Sequence, residues 1–330
     1  MSGRAKQEVN VHRKRVVAVI SSYQPTQELV EHCAQLAPQV AEILVVDDGS
    51  DERGASVLDA LSAARVIVIK LAGNSGIGAA INTGFEHARQ LGLEFVVTFD
   101  QDSTAPAGFM DSLVDEYDRL ASKGVRVGMV TPEYYSATPQ SRPERVGDYI
   151  EAYAPIQSGM LMPLSVIDAL GPQREDLFID MIDTEYFLRA KRAGYIAVCA
   201  PHLTLDHGFG HRLYINVFGR RLKKPNGQPR MVKVSSPFRY YYRARNRVLV
   251  SREFAAEPAA KKVLVKQMLN DTLVDFNVAL YSAKGRFTLL KLIVSGWVDG
   301  LRGRTGKIPS PLSRQAQRVQ WRHPVVDEST

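Results

Sequence analysis

Between residues 15 and 100, four short runs of β-branched and aromatic residues alternate with stretches of helical spacing, and this alternation constrains the chain more than any other feature. Arg15 to Ser22 reads as a buried strand, Gln27 to Leu36 as a helix opened by Pro25-Thr26, and Glu42 to Val46 as a second strand. Arg65 to Leu71 supplies a third strand and Ile77 to Leu91 a helix. Phe95 to Asp100 is a fourth strand, too short and too rich in Phe, Val and Thr for a buried helix. Such β-α-β-α-β-α-β order with short connections specifies a parallel, doubly wound sheet. Ligands bind such sheets at the carboxyl ends of the strands, and Asp47-Asp48-Gly49-Ser50 and Asp100-Gln101-Asp102-Ser103 both fall there.

Two aspartates one residue apart can aim oxygens at one hard cation and leave its remaining sites to a diphosphate. The same residues also suit a polar turn in which Asp102 or Ser103 caps the next helix ahead of Ala105-Pro106. In the other acidic turn, Gly49 permits a tight bend that points a carboxylate back toward the crevice. The run from Asn74 to Gly84 (NSGIGAAINTG) contains Gly-x-Gly, which invites a dinucleotide fingerprint. Ile81 stands where that fingerprint needs Gly or Ala, and the run follows the third strand rather than the first, so NAD is set aside. Asn74 and the Ser75-Gly76 backbone are then candidates for a nucleotide's sugar or phosphates, with Gly78 and Ala79 letting the helix close on the sheet.

Farther along, the sequence predicts a helix over Ala107 to Ala121, a strand over Val125 to Thr131, and a Pro-, Ser- and Tyr-rich loop from Pro132 to Asp148. Ser158-Gly159 marks a bend beside another strand. A helix from Asp183 ends at the C-cap Gly194 before a strand over Tyr195 to Ala200. Asp183 falls in the first helical turn, where the dipole favours its charge. Glu185 and Arg189, four apart, read as a surface pair.

The 330 residues suffice for one large domain and an appendage. Cys33 and Cys199 belong to no ligand cluster, which fits a reduced, cytosolic protein. No secretory signal is read at the basic N-terminus, and the apolar run Leu289 to Val298 falls short of the roughly 18 residues that a membrane span needs. Net charge is +7, with the excess after about residue 212: Arg220-Arg221-Leu222-Lys223-Lys224, Arg239, Arg243, Arg245, Arg247, Arg252, Lys261-Lys262, Arg302, Arg304 and Lys307. Such a field favours an anionic partner, whether nucleic acid, acidic lipid or phosphorylated substrate. On a helix, Arg239, Arg243 and Arg247 share one face and suit a pyrophosphate or headgroups. Phe287 to Leu301, with Leu289, Leu290, Ile293 and Trp297 on one side, reads as an interfacial helix or as one packed on the catalytic domain.

In their order, Asp47-Asp48-Gly49-Ser50, Asn74-Ser75-Gly76-Ile77-Gly78, Asp100-Gln101-Asp102, Ser158-Gly159 and Asp183 make the chain resemble the inverting family 2 glycosyltransferases over roughly residues 15–210. The Phe-Asp-Gln-Asp-Ser run and the Asn74 to Gly84 stretch resemble bacterial rhamnosyltransferases that use dTDP-L-rhamnose. So do Tyr241-Tyr242-Arg243-Ala244-Arg245-Asn246 and Gly300-Leu301-Arg302-Gly303-Arg304-Thr305-Gly306.

The resemblance implies an α/β GT-A fold, a Rossmann-like mostly parallel sheet with a C-terminal helical appendage. Its parts would be a basic flexible N-terminus at 1–14, a catalytic domain at 15–215, a basic helical region at 216–312 and a loose tail at 313–330. It implies transfer of L-rhamnose to a hydroxyl of a glycan or glycolipid in bacterial cell-surface polysaccharide synthesis, with a UDP-sugar donor, as in galactofuranosyl transfer, as the alternative. Asp48 would bind the pyrimidine or ribose, supported by Asp47, with Ser21 or Ser22 near the base and Asn74, Gly76 and Gln101 also on the nucleotide sugar. Asp100 and Asp102 would hold Mg²⁺ or Mn²⁺, with His207 completing the shell. His207 and His211 could equally be loop residues or touch acceptor phosphate.

Asp183 would be the general base. Ile182 stands where the family often has Glu, which leaves Asp180 and Glu185 as rivals. Ser158, Gly159 and Arg243 would lie on the acceptor side. A polyprenyl-diphosphate-linked acceptor implies a cytoplasmic protein attached peripherally to the inner face of the membrane.

Two other classes fit less well. A nucleotidyltransferase wants a Gly-rich basic loop after the first strand, which Ser21-Ser22-Tyr23-Gln24-Pro25 does not supply. In a nucleic-acid binder, aromatic residues would interleave with the basic ones more widely than around 240–242, and the carboxylates at the sheet edge would repel phosphate unless a metal is present.

Overall fold

The computed structural model describes residues 14–136, 138–141, 147–153, 155–207, 211–217, 220–224 and 226–324. The chain forms two compact units, one of Met1–Phe178 with Ile182–Gly208, the other of Ile179–Met181 with Phe209–Thr330.

In the first unit, β1 (Val16–Ser22), β2 (Glu42–Asp47), β3 (Ile67–Lys70) and β4 (Phe95–Asp100) pair in parallel in the order β3-β2-β1-β4. All seven residues of β1 are buried, as its run of Val, Ala and Ile requires of a strand covered on both faces. The short β5 (Ser103–Thr104) follows. β6 (Val127–Tyr135) carries β7 (Thr138–Pro139) folded back on it, and β8 (Ile150–Glu151) pairs with a later strand. β9 (Met160–Pro163) inserts antiparallel between β4 and β6, and β10 (Ile196–His207) runs parallel to β6.

β6 and β10 both outrun the lengths read from sequence, and the segment expected as a loop from Pro132 begins as strand. Pro132 and Pro201 break the β pattern, but a register shift between Ala200 and Thr204 lets pairing resume. Residues 142–146 of that segment lie outside the described residues.

The helices of this unit are α1 (Glu28–Leu36), α2 (Glu52–Ala63), α3 (Ile77–Leu91), α4 (Phe109–Ala121), α5 (Leu164–Leu170) and α6 (Ile182–Arg192). The N-cap of α4 is Gly108 rather than Asp102 or Ser103, so the Asp-x-Asp turn does not serve as that helix's cap. α3 buries Ala80, Ile81, Gly84, Phe85 and Ala88 on one face. Its close approach to the sheet is at Gly84, where an added Cβ would lie 2.2 Å from Val19 Cγ1, whereas Gly78 faces the Arg174 carbonyl. Gly84→Ala is therefore expected to lower stability by about 1–3 kcal/mol through overpacking, outweighing the roughly 1 kcal/mol that alanine gains in a helix. A denaturation midpoint at or above wild type would contradict this.

The second unit opens with β11 (His211–Tyr214) paired antiparallel to β14 (Met231–Val234), and β12 (Asn216–Val217) to β13 (Arg220–Arg221). The start of the expected helical appendage is thus short antiparallel strands. Then come α7 (Arg239–Glu253), α8 (Pro258–Asn270), a π-helical turn (Asp271–Asp275), α9 (Phe276–Ser282), α10 (Arg286–Leu301) and α11 (Ser310–Ala316).

Tyr241-Tyr242-Arg243-Ala244-Arg245-Asn246 and the Gly300 to Gly306 stretch interlock here. Tyr241 Oη donates to Asp299 (2.8 Å), the fully buried Arg245 donates to the Gly306 carbonyl, and the Ile308 amide donates to Tyr242 Oη (2.7 Å). Arg239 pairs with Asp180 (2.6 Å), Arg243 with Asp271 (2.6 Å) and Asp275 (2.7 Å), and Arg247 with Asp271. The row of arginines is thus met by carboxylates of its own unit. Burial opposes the Arg243 charge, but Asp271, Asp180 and Asp275 outweigh it and hold the guanidinium above its usual range. Of the tail expected to be loose from 313, the described residues up to 324 pack here as well, with Ala316 and Val319 buried and Trp321 edge-on to Tyr240 at 6.1 Å.

Candidate functional site

The parallel registers bring the polar strand ends into one row. Ser22 lies opposite Asp47 across β1 and β2, and Ser21 opposite Asp100 across β1 and β4. Sheet order changes direction after β1, the position at which open α/β sheets leave a crevice.

Each acidic turn is held by specific bonds. Asp47 accepts from the Ser50 amide (2.9 Å) and hydroxyl, and Ser50 Oγ accepts from the Gln24 amide (2.7 Å), tying the loop after β1 to that after β2. Asp48 accepts from the amides of Ser75 and Gly76 (2.8 Å), clamping the loop before α3. Both carboxylates are buried, so these charge-assisted bonds offset desolvation. Gln101 reaches back to the first loop, accepting through Oε1 from the Tyr23 amide (2.8 Å). Ser22 Oγ and Asn74 Oδ1 are buried without a hydrogen-bond partner. An orphaned hydroxyl and amide oxygen beside two carboxylates are what a ribose or a pyrimidine edge could satisfy.

Gly76 makes the clamp possible. It sits at φ +96°, and a Cβ there would lie 2.4 Å from the Phe178 carbonyl oxygen. Gly76→Ala is expected to strain this turn by about 1–3 kcal/mol and to weaken nucleoside diphosphate binding about tenfold or more. Titration calorimetry with dTDP checks this, and unchanged affinity would contradict it.

Behind the Asp-x-Asp turn, Ser158 Oγ accepts from the Asp100 amide (3.1 Å) and shares a 2.6 Å bond with Ser103 Oγ. Ser158 and Gly159 are therefore packed against the back of the turn, and Gly159 donates its amide to the Thr98 carbonyl (2.7 Å). The Tyr135 phenol is pushed above its usual range by burial and then by the Asp100 charge, with Asp102 adding, so both carboxylates lie within electrostatic reach of one buried hydroxyl. Antiparallel pairing of β5 with the end of β10 sets His207 opposite Ser103, next in chain to Asp102. The side chains of His207 and His211 lie outside the described residues. Among the described residues no three His, Cys, Asp or Glu side chains form a closed cation cage.

Asp183 stands in the first turn of α6, its Oδ1 accepting from the Thr184 amide (2.7 Å). The pair expected at the surface is instead buried on its acidic side. Glu185, 1% exposed, takes both Arg189 Nε (2.9 Å) and Nη2, and Arg189 also donates to the Leu170 and Pro172 carbonyls. Asp180 is bound by Arg239. Both cysteines are buried and free, and burial pushes each thiol up to about 12, so neither is a thiolate nucleophile near neutral pH.

Residues 16–154 match the family described as Glycosyl transferase family 2. The match takes in β1 through β8 and leaves the rest of the chain outside it. It is 26% identical to the dTDP-rhamnosyl transferase RfbF of Shigella flexneri over 305 residues, 88% of this chain and 97% of that one. Its fold is similar to S. aureus TarS residues 1–349 in complex with UDP-GlcNAc, with a TM-score of 0.55 at 13% identity, covering 91% of this chain and 83% of the other. Against a longer TarS chain the TM-score is 0.54, and this chain spans half its length. The architecture is the GT-A fold.

The first unit also carries polar residues that its motifs do not announce. Thr98, Gln157, Gln173 and Asn82 form a buried chain: Gln157 donates to Thr98 Oγ1 (2.7 Å), Gln173 to Gln157 Oε1 (2.9 Å), and Asn82 to the Gln173 carbonyl (2.9 Å) and Glu175 (2.8 Å). Asn82 lies within the Asn74 to Gly84 stretch, where a polar side chain on the buried face of α3 was the available signal. Tyr135 left none, because it stood in what read as a loop.

Proposed function

We propose that this glycosyltransferase moves L-rhamnose from dTDP-L-rhamnose to a hydroxyl of a glycan or polyprenyl-diphosphate-linked acceptor, by a single inverting displacement. The similarity to the Shigella dTDP-rhamnosyl transferase along nearly the whole of both chains carries this reading. Asp48 binds the pyrimidine or ribose with Asp47 bracing its turn, while Ser21, Ser22, Asn74, Gly76 and Gln101 complete the nucleotide pocket. The unpartnered oxygens of Ser22 and Asn74 support that assignment.

Asp183 takes the proton from the acceptor hydroxyl as its oxygen attacks C1 on the face opposite the leaving diphosphate, so one base suffices and no glycosyl-enzyme forms. Asp100, Asp102 and His207 would hold Mg²⁺ or Mn²⁺, which when bound neutralises charge on the departing dTDP. Ser158 and Gly159 fix the backbone that carries Asp100. A polyprenyl-diphosphate-linked acceptor would be met at the inner face of the cytoplasmic membrane, and either acceptor makes the transfer a step of cell-surface polysaccharide synthesis.

Thermal shift with nucleotides tests the pocket. dTDP with Mn²⁺ raises the midpoint of the wild type more than UDP does, and Asp48→Ala loses the shift. A larger shift with UDP would move the donor to a UDP-sugar, and no shift with either would sink the nucleotide site.

A further inference from the structure

The second unit carries two apolar stripes that point away from its own core. On α10, Phe287 (77% exposed), Leu290, Val294, Val298 and Leu301 (66%) follow one another at spacings of three, four, four and three, and so line one side of the helix for its whole length. Leu289, Leu292, Ile293 and Gly296 face inward, and α10 packs on α7. This is not the face expected from sequence, since Leu289 and Ile293 are buried while Leu290 is exposed. On α8, Val265, Met268 and Leu269 repeat the pattern, and Leu273 and Val274 continue it on the π-helical turn.

The charge around the stripes has one sign. Residues 258–307 hold nine lysines and arginines against three aspartates. The three acids are engaged, Asp271 and Asp275 by Arg243 and Asp299 by Arg304. Lys261, Lys262 and Lys266 on α8 are exposed, as are Lys284, Arg286, Lys291 and Arg302 along and beside α10. The Arg286 guanidinium lies 5.4 Å from the centre of the Phe287 ring, which places cation and apolar wedge together at the start of the stripe.

We propose that α8, the π-helical turn and α10 form a docking face for an anionic lipid bilayer, the apolar stripes entering the headgroup boundary and the flanking lysines and arginines meeting lipid phosphates. Charge complementarity selects this occupant. A second copy seated symmetrically on α10 would set Lys291 and Arg286 against their own kind, whereas an anionic surface neutralises both and still takes up Phe287 and Leu301. The face draws on the proposed function only in that a lipid-linked acceptor lies at such a surface. Its test needs neither donor nor acceptor.

The purified full chain is sedimented with phosphatidylcholine vesicles and with vesicles also containing phosphatidylglycerol. Wild type is expected to bind the anionic vesicles, the Phe287→Glu/Leu301→Glu double variant to bind them at least about tenfold less, and Arg286→Glu/Lys291→Glu to lose the preference for phosphatidylglycerol. All these residues are exposed, so the dTDP-induced thermal shift should be unchanged in both variants, which separates failure of this face from failure of the nucleotide site. Equal binding by wild type and both variants, or none by wild type, overturns the proposal. So does a wild-type dimer in sedimentation velocity that Phe287→Glu/Leu301→Glu converts to monomer, since that outcome assigns the face to a second copy.

Discussion

Asp183→Asn is expected to lower kcat by about 10²–10⁴-fold, the range a positioned general base contributes, while leaving the dTDP thermal shift and the folding midpoint near wild type. Asparagine keeps the volume and the hydrogen bond from the Thr184 amide but has no basic oxygen for the acceptor proton. The acidic limb of the kcat/KM profile should disappear with the carboxylate. Each of the rivals serves an arginine. Glu185 is buried against Arg189, so Glu185→Gln leaves a guanidinium with half a partner and costs stability, about 3 kcal/mol or more. Asp180→Asn likewise loosens the bond from Arg239. In both of these variants the acidic limb should persist. If it vanished in Glu185→Gln and survived in Asp183→Asn, the base would be Glu185.

Asp102→Ala should reduce turnover by about 10³-fold, since cation assistance to a departing diphosphate is worth several kcal/mol and each 1.36 kcal/mol is tenfold. EDTA should bring wild type to the same level, Mn²⁺ or Mg²⁺ should restore it, and neither ion should rescue the variant. Ser103→Ala serves as the contrast. It removes the bond to Ser158 Oγ behind the turn but no carboxylate, so it should retain most activity and its metal dependence. Wild-type turnover indifferent to EDTA would remove the cation from the reading of Asp100 and Asp102.

The parallel half of the sheet was legible because its strands are local. β4 and α3 fall where the pattern put them, each a pure run bounded by a glycine or an acidic turn. The antiparallel β9 was readable as a strand but not as the neighbour of β4 and β6, since Met-Leu-Met-Pro has no alternation and its partners are distant in sequence. That Asp47, Asp48 and Asp100 stand at the carboxyl ends of their strands could be read from position alone. Their bonds could not, because Asp48 closes on amides 27 and 28 residues away. The shared face of Arg239, Arg243 and Arg247 followed from spacing. That Asp180, Asp271 and Asp275 would neutralise it depended on tertiary contacts. On α10 the apolar residues surround most of the helix, so periodicity offered no single face to choose.

The most direct test is turnover by the purified protein across a panel of nucleotide sugars, with Mg²⁺, Mn²⁺ or EDTA, following release of free nucleoside diphosphate and the anomeric configuration of any product by NMR. Metal-dependent release of dTDP from dTDP-L-rhamnose, with inversion at C1 and loss in Asp183→Asn, is the predicted result. Turnover of a UDP-sugar in preference, or a product that retains the donor's configuration, would contradict it.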